Sequence, residues 1–329
     1  MTQLNYWSDT AKNREPVETT LSNLGYDAGY VAIIKKIFRI AQTPVSKLSP
    51  QQYLLQDAFC QRAELQASDA LTYTHTGQEV YPFGQSCLRS INRSSRGNGV
   101  LFGSTASNCA STFKVIDLYR RRERTRALGA KRHVIVTCDT GFTPILKDIP
   151  GSTVTGDARS TICLDDGAAG DYQLVSYDCQ IYPAHFGGAW EEAEKHAIYE
   201  KTYKDRIVAL IEQSLSVLAR EHKLDADSRI AIVPHNVNVY TWKAIEKKLN
   251  NPQLSFFTDG VADHGHCYGS DAFINLQLLE RRHAEPVDDA QVTSHPTPDY
   301  YLCVTAGVGG FFSSVTLTRT DTKKDPSYD

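Results

Sequence analysis

Short apolar runs alternate with longer amphipathic stretches along most of this chain. Ala70-Leu71-Thr72-Tyr73-Thr74 and Gly99-Val100-Leu101-Phe102-Gly103 read as strands. His133 to Thr137 reads as a strand covered on both faces, because its apolar residues are consecutive rather than alternating. Ser160 to Leu164, Tyr172 to Tyr177, Arg229 to Val233, Tyr301 to Thr305 and Ser313 to Leu317 continue the series. Ser49-Pro50-Gln51-Gln52 predicts an N-cap followed by proline in the first turn, opening a helix to about Leu65. Further helices are expected from Phe113 to about Arg126, from about Trp190 to His222, from about Asn238 to Leu249 and from Ser270 to Arg282. Tyr30 to Ile40 could form another, but the remaining residues up to about 47 carry no clear period. Strands alternating with helices predict an α/β protein whose sheet is largely covered.

The pattern repeats weakly. Val100–Gly103, Ser104–Ser111, Phe113–Arg126 and His133–Thr137 form a strand, a turn of small residues, a helix with an arginine-rich end, and a strand. Ser255–Thr258, Val261–Gly269, Ser270–Arg282 and Tyr301–Thr305 follow the same order. This suggests a duplicated unit with a site at the junction, the halves being residues 1–170 and 171–329.

Composition narrows the class. With 329 residues, 41% hydrophobic and 22% charged, the chain has the make-up of a globular protein of one large or two half-sized domains. A net charge of -3 argues against general nucleic-acid or membrane-surface binding. Met1 to Trp7 has no basic or apolar leader, and no apolar run reaches bilayer length. The expectation is a cytoplasmic protein without membrane contact. None of the eight cysteines forms a C-x-x-C pair, so most are expected to be buried, reduced thiols.

Four segments carry candidate chemistry. Cys109, in Ser107-Asn108-Cys109-Ala110-Ser111, lies between a strand and a helix. The positive end of a helix dipole there favours a thiolate nucleophile, and the small neighbours admit a substrate. The alternative is a small residue filling a tight turn. His235 follows the buried run Ile230-Ala231-Ile232-Val233-Pro234, at the strand end where α/β sheets bind ligands. It could act as base or as hydrogen-bond donor, or simply cap the next helix. His264-Gly265-His266 lies in the second small-residue turn, without a clear third ligand for a metal. Ala306-Gly307-Val308-Gly309-Gly310 could bring backbone N–H groups to an oxyanion, or could be a plain turn. Gly156-Asp157 leads into a strand and does not fit a phosphate loop.

Taken in order, these segments resemble the β-ketoacyl-acyl carrier protein synthase III family of the thiolase superfamily, from about residue 50 to 319. The resemblance implies a thiolase fold, five αβαβα layers made of two similar halves, and a homodimer. It implies that Cys109 is acylated and that His235 matches the family's catalytic histidine. Asn238 matches the last residue of the family's His-Gln-Ala-Asn motif, here His235-Asn236-Val237-Asn238. The N–H groups of Cys109 and Gly309 would hold the thioester oxyanion. No cofactor is implied beyond the phosphopantetheine arm of an acyl carrier protein or coenzyme A, which arrives as substrate.

Three departures qualify the match. His266 stands where the family has asparagine after His-Gly. Tyr240 replaces an arginine of the pantetheine tunnel, and with Asn238 is a candidate substrate contact. The N-terminal Thr-Gly-Ile-x-x-Arg segment that helps hold coenzyme A is not recognisable. A carrier-protein donor is therefore favoured, and Arg89, Arg93 and Arg96 or the Arg120 to Arg126 cluster could face that acidic partner. The expected reaction is acyl loading onto Cys109 followed by decarboxylative Claisen condensation with a malonyl-type thioester, using His235 and His266. Transfer to an alcohol or amine in specialised metabolism is the alternative. An inactive ketosynthase-like partner subunit and a cysteine hydrolase are the rival readings.

Overall fold

The computed structural model describes residues 2–57, 59, 69–76, 87–95, 101–105, 107–125, 132–141, 146–167, 170–182, 193–222, 224–284, 297–307 and 309–320. Ten strands form the main sheet. They are β1 (Gln3–Thr10), β2 (Ala70–Thr74), β3 (Leu101–Ser104), β4 (Arg132–Asp139), β5 (Ala158–Asp165), β6 (Tyr172–Ile181), β7 (Ile230–Pro234), β8 (Leu254–Phe256), β9 (Tyr300–Gly307) and β10 (Phe311–Arg319). Their order is β8-β7-β9-β10-β6-β1-β5-β4-β2-β3. Read outward from β1 and from β6, the two sides are the same: β1-β5-β4-β2-β3 and β6-β10-β9-β7-β8. Their strand senses also match. β2 is parallel to β3 and β4, and β7 is parallel to β8 and β9; β5 and β10 run antiparallel to their neighbours. The sides join where Gln3 and Leu4 pair with Gln173 and Tyr172.

Six helices complete the layers: α1 (Pro50–Leu55), α2 (Cys87–Ser95), α3 (Ser111–Thr125), α4 (Ala193–His222), α5 (Val239–Leu249) and α6 (Asp271–Ala284). Successive strand residues point to opposite faces, so each strand splits its apolar side chains between two cores. Ile135, Ile162, Val233, Cys303 and Val315 face α3 and α6, contributed there by Phe113, Ile116, Phe273 and Leu276. Val134, Val136 and Cys163 face Tyr53, Leu54 and Ile91 of α1 and α2. Ile230, Ile232, Leu302 and Val304 face Ile207, Ile211 and Trp242 of α4 and α5. Helices therefore lie outside each side of the sheet, with α3 and α6 between them. This is the five-layer αβαβα arrangement implied by the resemblance, and it explains why these strands are apolar without a break.

Some elements differ from the sequence pattern. β1 was unreadable because only Leu4 and Ser8 of its main run are fully buried, amid Asn5, Asp9 and Thr10. Its fit comes from pairing along its whole length with β5. The helix opened by Ser49 has the expected N-cap and first-turn proline, completed by a capping box with Gln52, but its α-helical span stops at Leu55, where Gln56 turns extended. Of the rest of its expected length, to about Leu65, residues 58 and 60–65, Cys60 among them, lie outside the described residues. Tyr30 to Ile40 divides into an α-helix, Ala28–Ile33, capped by Asp27, and a wider π turn, Ile34–Phe38.

Candidate active site

Cys109 is set by a local device in the turn between β3 and α3. Asn108 has φ +48°, a left-handed conformation that asparagine tolerates better than most residues. It opens a 3₁₀ turn, Asn108–Ala110, that runs into α3 at Ser111. The second half repeats the device: Tyr268 has φ +52°, and Tyr268–Ser270 runs into α6 at Asp271. The counterpart of Cys109 is thus Gly269, and the two turns pack together. A Cβ on Gly269 would lie 2.8 Å from Thr112 Oγ1 and 3.9 Å from Cys109 O. β9 seals the turn from behind. Thr305 Oγ1 donates to Cys109 O at 3.3 Å, and a Cβ on Gly307 would lie 2.2 Å from Ser107 O, so only glycine fits there.

His266 reaches the same point from a different strand end. Its N–H donates to Val154 O and its C=O accepts from Gly156 N, both at 2.9 Å. Gly265, at φ +55°, makes the turn, and a Cβ there would lie 2.3 Å from Val154 O. Thus held, His266 Nε2 lies 3.2 Å from Cys109 Sγ. Its Nδ1 lies 2.5 Å from Asp271 Oδ2. Asp271 is the first residue of α6, where the helix dipole favours a carboxylate. It also accepts from Asn236 N at 2.7 Å and Cys267 N at 2.6 Å. A carboxylate can only accept, so Nδ1 carries a proton, and Nε2 faces sulfur, where it accepts from the thiol or, once protonated, donates to the thiolate. Cysteine, histidine and aspartate form a buried line. Burial opposes charge on His266, but Asp271 and the Cys109 sulfur, both hydrogen-bonded to it, outweigh burial and hold the imidazole well above its ordinary value.

His235 stands beside this line, its ring 5.7 Å from that of His266 and edge-on to it. Its Nδ1 lies 3.4 Å from Val304 O and its Nε2 2.8 Å from Tyr203 Oη. Burial, and then the charge of His266, push it down to about 4. Asn238, by contrast, is a helix cap: Oδ1 accepts from Thr241 N and Nδ2 donates to Ser152 O. Tyr240 is 54% exposed, with the Lys204 ammonium over its ring at 4.9 Å. Gly309, at φ +106°, lies beside Asn108. His264 turns away, its Nδ1 3.1 Å from Gly260 O. Arg89 is exposed, and Arg121 pairs with Asp117. The side chains of Arg93, Arg96, Arg122, Arg124 and Arg126 lie outside the described residues.

The seven described cysteines form no disulfide. Burial raises Cys163 and Cys303 to about 12 and Cys267 well above its ordinary value. Sequence reasoning missed Asp271 and Tyr203. An acidic residue opening a helix five positions after His266 was an available signal for the first; Tyr203, far along α4, had none.

The arrangement is the thiolase fold. No family model matches the chain, and no curated protein sequence does. Among solved structures, ChlB3, described as an acyltransferase, is 16% identical with a TM-score of 0.72, covering 97% of each chain. The 3-oxoacyl-(acyl carrier protein) synthase III of Pseudomonas aeruginosa PAO1 is 14% identical with a TM-score of 0.71, covering 97% of this chain and 98% of its own. AbyA1, a tetronic acid condensing enzyme, is 13% identical with a TM-score of 0.67, covering 97% of this chain and 100% of its own. Among the described residues no helix is long and apolar enough to cross a membrane.

Proposed function

We propose that this chain is a ketosynthase III-like acyl-thioester transferase that loads an acyl group on Cys109 and passes it to a hydroxyl or amine. The observation that carries this reading is the line Cys109–His266–Asp271, which can move one proton on and off sulfur. The donor is a carrier-protein or coenzyme A thioester, whose phosphopantetheine arm enters as substrate. His266 Nε2 takes the thiol proton while Asp271 holds Nδ1–H. The sulfur attacks the donor carbonyl, and the N–H groups of Cys109 and Gly309 receive the oxyanion. The pantetheine thiol leaves with the proton from His266. The acceptor X–H then gives its proton to the same nitrogen as X attacks the acyl-cysteine, and the Cys109 thiolate departs.

Decarboxylative condensation is the second reading, favoured by the closeness of the two imidazoles. It needs N–H donors for an enolate oxygen. Here His235 has its Nδ1 proton on Val304 O, and its Nε2 is met by the Tyr203 hydroxyl. Structural relatives include both an acyltransferase and a condensing enzyme, so they do not choose between the readings. Competition decides. Acyl-enzyme offered an amine, an alcohol and a malonyl thioester together should yield amide or ester in excess; a dominant β-ketoacyl product would overturn the heteroatom reading and leave condensation.

A further inference from the structure

We propose that Tyr203 is a specificity-determining residue: its hydroxyl withholds His235 from enolate chemistry and so directs the acyl group on Cys109 to a heteroatom. This rests on the reading of Cys109 as the acylated nucleophile.

The geometry around His235 leaves it little choice of role. Its backbone is fixed at the end of β7, its N–H donating to Val304 O at 2.9 Å and its C=O accepting from Trp242 Nε1 at 2.9 Å. Val304 O also lies 3.4 Å from Nδ1. A carbonyl oxygen can only accept, so the Nδ1 proton points there and the neutral ring keeps its lone pair on Nε2. Tyr203 Oη, 2.8 Å away, donates into that lone pair. The ring is 2% exposed, with Trp242 at 5.6 Å and His266 at 5.7 Å between centroids, both edge-on, so it is held in this orientation. Burial and the neighbouring His266 keep it neutral.

Condensation would place a demand on this nitrogen. The bond between the malonyl α-carbon and its carboxylate breaks, carbon dioxide leaves, and the electron pair passes to the α-carbon and the thioester oxygen. That enolate needs N–H donors at the oxygen while its carbon attacks the acyl-cysteine and the Cys109 thiolate departs. Nε2 offers no N–H while Tyr203 fills it. A heteroatom acceptor makes no such demand, because it brings its own proton to His266. Removing the hydroxyl leaves Nε2 open, and the neutral ring can then shift its proton from the long 3.4 Å contact with Val304 O to Nε2 and so present an N–H. The Tyr203 ring lies 5.7 Å from that of Phe312, a contact phenylalanine keeps.

The test uses the whole protein and its Tyr203→Phe and Tyr203→Leu variants. Each is loaded from an acyl-N-acetylcysteamine thioester, checked by intact mass, and challenged with an amine and a malonyl thioester labelled in its free carboxyl group. The readout is the ratio of labelled carbon dioxide released to amide formed. The ratio is expected to rise about 10- to 100-fold in both variants, the worth of one donor to a charged oxygen, and to return to the wild-type value in Tyr203→Phe/His235→Leu. A folded variant whose ratio is unchanged, or a rise that persists without His235, overturns the proposal while leaving heteroatom transfer standing. Wild-type protein that releases carbon dioxide faster than it forms amide overturns both.

Discussion

Replacing Asp271 with asparagine changes one oxygen to an NH₂ group at the most heavily bonded atom of the site. Asp271 accepts three hydrogen bonds, from His266 Nδ1, Asn236 N and Cys267 N. If the amide oxygen keeps the Cys267 N–H, the NH₂ group takes the place of Oδ2 and faces two donors. His266 can adapt by moving its proton to Nε2, so that Nδ1 accepts. Asn236 N cannot adapt, and a buried N–H left facing an NH₂ group costs about 1–3 kcal/mol of stability. The catalytic cost is larger. With a proton on Nε2, His266 donates toward Cys109 Sγ, 3.2 Å away, and cannot take the thiol proton. Losing the base lowers the acylation rate about 10²- to 10⁴-fold. Rapid-quench acylation followed by intact mass, beside chemical denaturation at the same pH, separates the two effects. A folded Asp271→Asn protein that acylates within a few-fold of wild type would refute the assignment of His266 as the base of a cysteine–histidine–aspartate line.

In the NMR titration of His266, the same substitution removes the strongest support for the imidazolium, and its midpoint should fall; an unmoved midpoint would contradict the pairing. His235 makes the opposite contribution to stability. The unfolded chain takes up a proton at this imidazole near pH 6.5 and the folded chain only near pH 4, so its contribution is complete above 6.5 and is lost as pH falls to about 4. The loss is about 3 kcal/mol, and denaturation curves of His235→Gln should lack this part of the acid slope. Gly307→Ala forces a Cβ against Ser107 O, so it should cost about 1–3 kcal/mol and slow acylation; thermal unfolding at the wild-type temperature would contradict the packing of β9 against the cysteine turn.

The parts of this protein legible in its sequence are those that local chemistry writes. The consecutive apolar residues of Val134-Ile135-Val136 require cover on both faces, and they have it. Cys109 and His235 stand out because each follows a strand and a turn of small residues or proline. Gly265 and Gly307 mark close backbone approaches that no side chain would allow. Illegible parts depend on partners far apart in the chain. β1 has a mixed pattern and becomes a strand through the distant β5, whose Ala158 pairs with Thr10 and Asp165 with Gln3. Tyr203 meets His235 across 32 residues, from one helix to one strand end. Asp271 opens a helix as acidic residues commonly do, and its pairing with His266 is set only by the fold. Asn238 stands where the resemblance implies a motif asparagine, and its amide bonds the backbone of Thr241 in α5 and of Ser152.

The most direct test of the central claim is the mass of the intact protein after incubation with acyl-carrier-protein and acyl-coenzyme A thioesters, beside Cys109→Ala. The account predicts a gain of one acyl group in the wild-type protein and none in the variant, with the gain lost again when an amine or alcohol acceptor is added. No adduct with any donor, or an adduct that survives in Cys109→Ala, would contradict it, and the first result would return the chain to the reading of an inactive partner subunit.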